Sequence, residues 1–273
     1  QIMFWIAGIP LLLLPIVWKF LPESIIFMVK ANKQERAREV LTRLAPEANV
    51  TATTQLELSK AEVPESANVA SLFKKGRGVN TLLFWLAFFM CLLTMYALGS
   101  WMPKLMMAAG YSMGSSLLFL LAMNIGAVIG TVSGGMLADR FHLKPVLMVL
   151  GVVGAIVLSL LGFEPPQLAL YFMIALAGAA SIGSQILLYS YVAQYYPLAV
   201  RSTGIGWASA VGRSGAIIGP ILIGMLLGMD LPHQYNFIAV GLPLLVVALA
   251  VTLISKKDQA EEAEVKDVAV ARN

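Results

Sequence analysis

Seven long apolar stretches leave this 273-residue chain little freedom in what it folds into: 2–21, 79–101, 116–138, 146–163, 168–193, 203–228 and 235–255. A bilayer core of about 30 Å is crossed by about 20 residues of helix at roughly 1.5 Å each, so every stretch is of about spanning length. In lipid the backbone must satisfy its own hydrogen bonds, and no stretch shows the short polar–apolar alternation of a barrel strand. The expected fold is therefore an all-α membrane protein with seven transmembrane helices. Composition agrees: 59% of residues are hydrophobic and 12% charged, where soluble domains carry about 25% charge.

The same residues exclude several classes of function. One cysteine, Cys91, rules out an internal disulfide framework, and two histidines, His142 and His233, are too few for a Cys/His metal cluster. No metal and no cofactor is expected. The basic pI of about 9.2 does not point to nucleic acid, because the cations sit between apolar runs rather than on a soluble face. Nine Lys/Arg lie in the loop 22–78, and the later connections carry in turn one (Lys104), two (Arg140, Lys144), none, one (Arg201) and none, with four in the tail from Lys256. By the positive-inside rule the nine, two, one and four are cytoplasmic. The first residue is then expected outside and the tail inside, in a multi-pass protein of the cytoplasmic (inner) membrane.

The chain opens with Gln1 directly on an apolar run that lacks the cleavage pattern of a signal peptide, and is expected to start partway through a larger protein. In the loop, Asn32 with Glu35 fits a capping box, and Ala37, Val40, Leu41 and Leu44 give an apolar face at helical spacing. An amphipathic helix of about three turns is expected there, followed after Pro46 by a linker to about Val69. Phe73, Lys74, Lys75 and Arg77 suit the lipid headgroup boundary. The loop reads as a tether between two halves of a bundle.

Two spans carry small residues every fourth position: Ala122, Gly126, Gly130, Gly134 and Ala138, and then Gly204, Ala208, Gly212, Ala216, Pro220, Gly224 and Gly228. Small side chains let membrane helices approach closely, so both stripes are packing faces, rigid or sliding. Arg213 stands out against them. Ten residues from Thr203, it is expected about 15 Å deep, near the midplane. A guanidinium there needs an anion or a set of carbonyls, and a carboxylate is its best planar match. The interiors of these spans hold no acid, because Asp139 and Glu164 fall at span ends.

Several motifs resemble a known family. GGMLADRFHLK at 134–144 resembles the second copy of the loop motif of the major facilitator superfamily, LPES at 21–24 its exit from helix six, and YYPLAVRSTGIGW at 195–207 its tenth-to-eleventh loop. WMPKLMMAAGYS (101–112) and STGIGWASAVGRSGAIIGP (202–220) are similar to the aromatic acid:proton symporters, benzoate carriers above all. Two departures from the superfamily's sugar carriers are Gln194, where they have Glu, and Ile25-Ile26, where they have Pro-Arg.

The resemblance implies the following expectations. Residues 1–21 would be the last helix of an N-terminal half that is otherwise missing, 22–78 the loop between halves, 79–255 the six-helix C-terminal half, and 256–273 the tail. The chain would serve proton-coupled uptake of an aromatic carboxylate such as benzoate by alternating access, with another organic anion or a sugar as the alternative. Its partners would be that acid, a proton, the N-terminal half and the bilayer. Arg213 would contact the substrate, with Asn124, Gln185 and Tyr189 as polar contacts near the middles of their helices and Tyr96 and Trp207 as apolar walls. Asp139, Arg140 and Arg201 would gate the cytoplasmic side, and Gly126, Gly130, Gly134, Gly212 and Gly224 would pack helices. A proton-carrying acid would lie in the missing half.

Two other classes fare worse. A seven-helix receptor matches the span count and Asp139-Arg140-Phe141, but not the 57-residue first loop or the missing cysteine pair and Asn-Pro-x-x-Tyr. An intramembrane enzyme needs a nucleophile with a base, or a metal set, at membrane depth, and neither is present.

Overall fold

The computed structural model describes residues 28–29, 31–44, 56, 68–74, 76–108, 110, 112–163, 165–229 and 231–255. The apolar stretch 2–21, most of the linker and the tail lie outside the described residues. The chain divides into two units, residues 1–63 and 64–273.

In the first unit, helix α1 spans Gln34–Leu44, three turns as the apolar spacing predicts. The capping box does not form. Asn32 has φ 57°, a left-handed conformation, whereas an N-cap needs extended backbone. Its N–H donates to the Val29 carbonyl (3.1 Å) and that of Lys33 to Met28 (2.8 Å), the paired bonds that close the C-terminus of a preceding helix. Asn32 thus ends one helix, and the Lys33 carbonyl accepts the first bond of the next from Ala37 (3.1 Å). Ala37 is fully buried. The Gln34 amide pairs with both backbone groups of Leu56, at 2.9 and 3.2 Å.

The second unit holds a 3-10 turn, Val69–Phe73, and helices α2 (Gly78–Ala108), α3 (Met113–Phe141), α4 (Leu143–Leu161), α5 (Gln167–Gly178), α6 (Ser184–Tyr195), α7 (Leu198–Leu227) and α8 (His233–Leu253). A π turn, Ala179–Gly183, joins α5 to α6 into one continuous span. Six helical segments among the described residues are long and apolar enough to cross a membrane. Each begins and ends within seven residues of the stretch read from hydropathy. The largest shift is at the end of α2, which runs on to Ala108 rather than stopping at Trp101, and α7 starts at Leu198 rather than Thr203, because Pro197 sits at its N-cap with φ preset for the turn into the helix. The α3–α4 connection is a single residue, His142, at φ 68° and ψ 158°. Glycine alone adopts that region readily, so the join carries strain of about 1–3 kcal/mol.

Packing runs α2 against α7 and α8, α4 against α8, and α3 against α5 and the π turn. Two apolar clusters result. One gathers Phe84, Phe88, Leu147, Leu188 and Tyr196 at what is here termed the Arg77 end, and the other Leu98, Met102, Leu158, Ile174 and Phe237 at the Trp101 end. Small residues set the closest approaches. A Cβ at Gly126 would overlap the Ala175 carbonyl, at Gly130 Ala179, at Gly134 Leu187, at Gly212 Leu92, and at Gly215 and Gly219 the carbonyls of Phe89 and Leu93. Gly224 lies under the Trp101 ring.

The four-residue stripes hold only in part. In α7 the buried face runs Gly204, Ala208, Gly212, Gly215, Gly219, Ile223, while Ala216 and Gly224 are half-buried and Gly228 exposed. A helix repeats every 3.6 residues, so a period of four drifts about 40° per turn off the contact face. Arg77 also departs from expectation. It turns away from the surface, is 5% exposed, and donates from its guanidinium to the Ser71 carbonyl (3.3 Å) beneath the 3-10 turn.

Candidate functional site: a polar level halfway along α6 and α7

Arg213 lies 15 residues from Leu198 and 14 from Leu227, so it is about 21 Å from either end of α7. Starting the helix five residues earlier deepens it relative to the 15 Å expectation and leaves it central. Its side chain is exposed, with no hydrogen bond or ion pair among the described residues.

The neighbouring helix supplies a register. The Tyr189 hydroxyl of α6 and the Ser209 hydroxyl of α7 are 2.9 Å apart. The two helices are joined by two residues, Tyr196 and Pro197, and run antiparallel. One turn back from Tyr189 along α6 is Gln185, and one turn on from Ser209 along α7 is Arg213. Antiparallel direction therefore puts Gln185 and Arg213 at the same level, each on the helix face of its bonded neighbour. Phe88 of α2 meets the Tyr189 ring edge-on, with centroids 5.0 Å apart at 90°.

Gln185 is 5% exposed, yet neither its Nε2 nor its Oε1 has a partner, and the adjacent Ser184 hydroxyl has none either. Those are three of six such buried atoms among the described residues. All three directly follow the π turn, a rare form of helix that recurs at functional sites. Within that turn Ser181 donates to the Ala177 carbonyl (2.8 Å), and the Cys91 thiol donates to the Ser181 carbonyl (3.3 Å).

The other candidates stand apart from this level. α3 runs parallel to α5–α6, with Gly126 beside Ala175, Gly130 beside Ala179 and Gly183, and Gly134 beside Leu187. Gln185 is thus level with about residue 132, and Asn124 lies about 12 Å away along α3. Asn124 is exposed and donates to the Leu120 carbonyl (2.8 Å). Tyr96 is two turns beyond Phe88, and Trp207 stacks on Trp85 (6.0 Å, 27°), which occupies one of its ring faces. The structure therefore sets Gln185, Tyr189 and Arg213 near one level, Gln185 buried and Arg213 exposed, and leaves Asn124, Tyr96 and Trp207 away from it. Phe88 and Ser209 were missed, although Ser209, one turn before Arg213, carries a helical spacing that could have flagged it.

At the Arg77 end the Asn80 and Thr81 side chains are fully bonded, although Arg77 Nε and Trp85 Nε1 have no partner among the described residues. Asn80 donates to the Tyr195 hydroxyl (2.6 Å) and the Ser255 carbonyl (3.2 Å) and accepts from the Ser255 N–H (3.2 Å). Thr81 donates to backbone carbonyls and lies 2.8 Å from the Tyr196 hydroxyl. Burial raises the Tyr196 pKa, against the opposing influence of the Thr81 bond and the Arg77 charge. Arg201, in the first turn of α7, donates to the Tyr196 carbonyl (3.2 Å), and Lys144 to the Ile254 carbonyl (2.7 Å). Asp139 and Arg140 are exposed at the end of α3, with the Arg140 guanidinium 5.4 Å from the Phe141 ring centre and no ion pair to Asp139 among the described residues.

Comparison with known proteins places this arrangement. Residues 122–271 match the family profile described as Major Facilitator Superfamily. The chain is 46% identical over 258 residues, 94% of its length and 55% of the relative's, to a benzoate transport protein of Acinetobacter baylyi. It is 44% identical to a gentisate transporter of Corynebacterium glutamicum, over 63% of this chain and 38% of the relative. It is 32% identical to the 4-hydroxybenzoate transporter PcaK of Pseudomonas aeruginosa, over 90% of this chain and 55% of the relative. The solved structure of the proton:xylose symporter XylE shares the fold, with a TM-score of 0.66 at 19% identity, covering 93% of this chain and 55% of that one. The chain spans about half the length of the curated relatives it matches. A multi-pass bundle of apolar helices with these relatives belongs to the Major Facilitator Superfamily.

Proposed function

We propose that the chain is part of a secondary transporter, not an enzyme, that takes up an aromatic carboxylate such as benzoate together with a proton by alternating access. The observation that carries this reading is the levelling of Arg213 with the buried Gln185 amide, one turn past the Tyr189–Ser209 bond. A guanidinium halfway along an apolar helix is costly unless an anion meets it, and a carboxylate fits its planar fork. The half-buried Tyr189 ring, backed edge-on by the fully buried Phe88, supplies an apolar wall for a flat substrate. The relatives named for benzoate, gentisate and 4-hydroxybenzoate support the substrate class. Proton coupling rests on the likeness of segments 101–112 and 202–220 to the aromatic acid:proton symporters.

In this reading residues 1–21 are the last helix of an N-terminal half, 22–78 the loop between halves, 79–255 the C-terminal six-helix half and 256–273 the tail. The partner is the rest of the N-terminal half. The low burial of α7 and α3, at 22% and 33% of their spans against 61% for α5–α6, supports faces left for that half. Asn124, on exposed α3, serves the same cavity from a level nearer its outer end. Asp139, Arg140 and Arg201 close the cytoplasmic side, where a carboxylate meets the positive end of a facing helix. The Lys/Arg distribution supports an inner-membrane location with the first residue outside and the tail inside.

The test is made in a protein of the relatives' length that contains this chain. Arg213→Lys should keep weak benzoate binding, with affinity reduced about tenfold by loss of the fork, and Arg213→Gln should abolish it. Near wild-type affinity of purified, folded Arg213→Gln protein would overturn the reading and assign Arg213 to a structural pair with an acid of the N-terminal half.

A further inference from the structure

Gln185 carries two atoms of opposite sense, Nε2 as donor and Oε1 as acceptor, both shut from solvent and both unpaired. An orphaned buried polar atom is destabilising, and an apolar residue of the same size would avoid that cost altogether. The side chain therefore calls for a ligand group that completes it. A carboxylate offers acceptors only, so it would satisfy Nε2 and repel Oε1. The Arg213 guanidinium offers donors only, so it could meet Oε1 but never Nε2. A hydroxyl donates and accepts through one oxygen, and it meets both.

The surroundings select where that hydroxyl sits. The Tyr189 hydroxyl is already bonded to Ser209, and the Phe88 ring stands edge-on to Tyr189. An aromatic acid whose carboxylate is taken up by Arg213 leaves its ring substituents as the groups able to complete Gln185. We propose that Gln185 is a specificity-determining contact for a hydroxyl group on the ring of the aromatic acid, so that ring-hydroxylated benzoates bind more tightly than benzoate. This rests on the aromatic-acid reading of the site. In the present conformation the amide is closed off. The π turn that ends at Gly183 holds an extra residue in the helix, and shifting that residue along the chain would turn Gln185 relative to α5.

The test uses the purified protein of the relatives' length and displacement of labelled benzoate by unlabelled benzoate and by 2-, 3- and 4-hydroxybenzoate. At least one hydroxylated isomer should displace the label at about tenfold lower concentration than benzoate, the scale expected when a buried polar group finds its partner. Gln185→Leu removes both orphaned atoms at similar volume. Whatever it does to benzoate affinity itself, it should shrink the ratio of hydroxybenzoate to benzoate affinity to less than about twofold. Gln185→Met, unbranched and of the same length, should behave alike and guards against a packing artefact of leucine. Equal displacement by all isomers and benzoate in the wild type, or a preference retained in both variants, would overturn the proposal while leaving aromatic-acid binding intact. Failure of every aromatic carboxylate to bind would instead remove the underlying reading, and this one with it.

Discussion

Asn80, Thr81, Tyr195 and Tyr196 at one end of the bundle are as deeply buried as Ser184 and Gln185 halfway along it, yet the two groups are treated in opposite ways. At the end, each polar atom of the Asn80 and Thr81 side chains is bonded, and the bonds tie α2 to the end of α6 and to the residues just after α8. Halfway along, three polar atoms in two consecutive residues have no partner. Burial alone therefore does not predict what a polar group does here. The satisfied group holds helix ends together, and the unsatisfied one is the residue pair for which only a ligand or a changed conformation supplies the missing bonds.

Substitutions that reverse these conditions should differ in sign as well as size. Asn80→Leu strips three bonds, one from the Tyr195 hydroxyl and two from the Ser255 backbone, so it should cost about 3 kcal/mol at roughly 1 kcal/mol per bond. A melting temperature in detergent lowered by several degrees would register it, and an unchanged value would mean the network is ornamental to stability. Gly126→Ala should cost about 2 kcal/mol by forcing α3 off the Ala175 carbonyl. Gly135→Ala, in the same helix with nothing within 4 Å of its Cβ position, should be neutral or stabilising by up to about 1 kcal/mol. Equal melting shifts for the two would contradict the assigned contact face. Gln185→Leu should raise stability by about 1 kcal/mol, because it removes orphaned atoms rather than bonds. A fall in melting temperature would show that Gln185 is satisfied after all and erase the contrast with Asn80.

What the sequence made legible follows from how local each cause is. A spanning helix is written in about twenty consecutive residues, so the spans could be read, and the α7 start was missed only because Arg201, inside its first turn, reads as a loop charge. Gln185 with Tyr189 and the depth of Arg213 were readable as helical spacing and counting. The bond that levels them, Tyr189 to Ser209, pairs residues of two helices and leaves no mark in either. The period-four glycine stripe misled because a repeat in sequence need not match the 3.6-residue repeat of the helix, and Gly215 and Gly219, which continue the true face, were passed over. Arg77 misled in the same way, since a cation near an apolar stretch reads as a headgroup contact until the 3-10 turn folds over it.

A further effect of about the size expected for Gln185→Leu bears on what keeps the π turn in place. Cys91 is wholly buried, and its thiol donates to the Ser181 carbonyl inside that turn. A π turn displaces the usual backbone pairing by one residue, so a carbonyl within it gains from an outside donor. The competing cause is packing, because Gly183 presses on the Gly130 backbone and Ala179 on Gly130 itself. Cys91→Ala should lower stability by about 1 kcal/mol through a weak bond and a small cavity, whichever cause dominates. Stability therefore does not separate them, and amide exchange does. If the thiol pins the turn, peptides covering residues 179–186 should exchange faster in Cys91→Ala, and Cys91→Ser, which keeps a donor, should restore slow exchange. If glycine packing pins it, exchange there should match wild type in both variants. In that case the orphaned Ser184 and Gln185 are held in place by the close approach of α3 alone, and any turning of Gln185 must run through separation of α3 from the π turn.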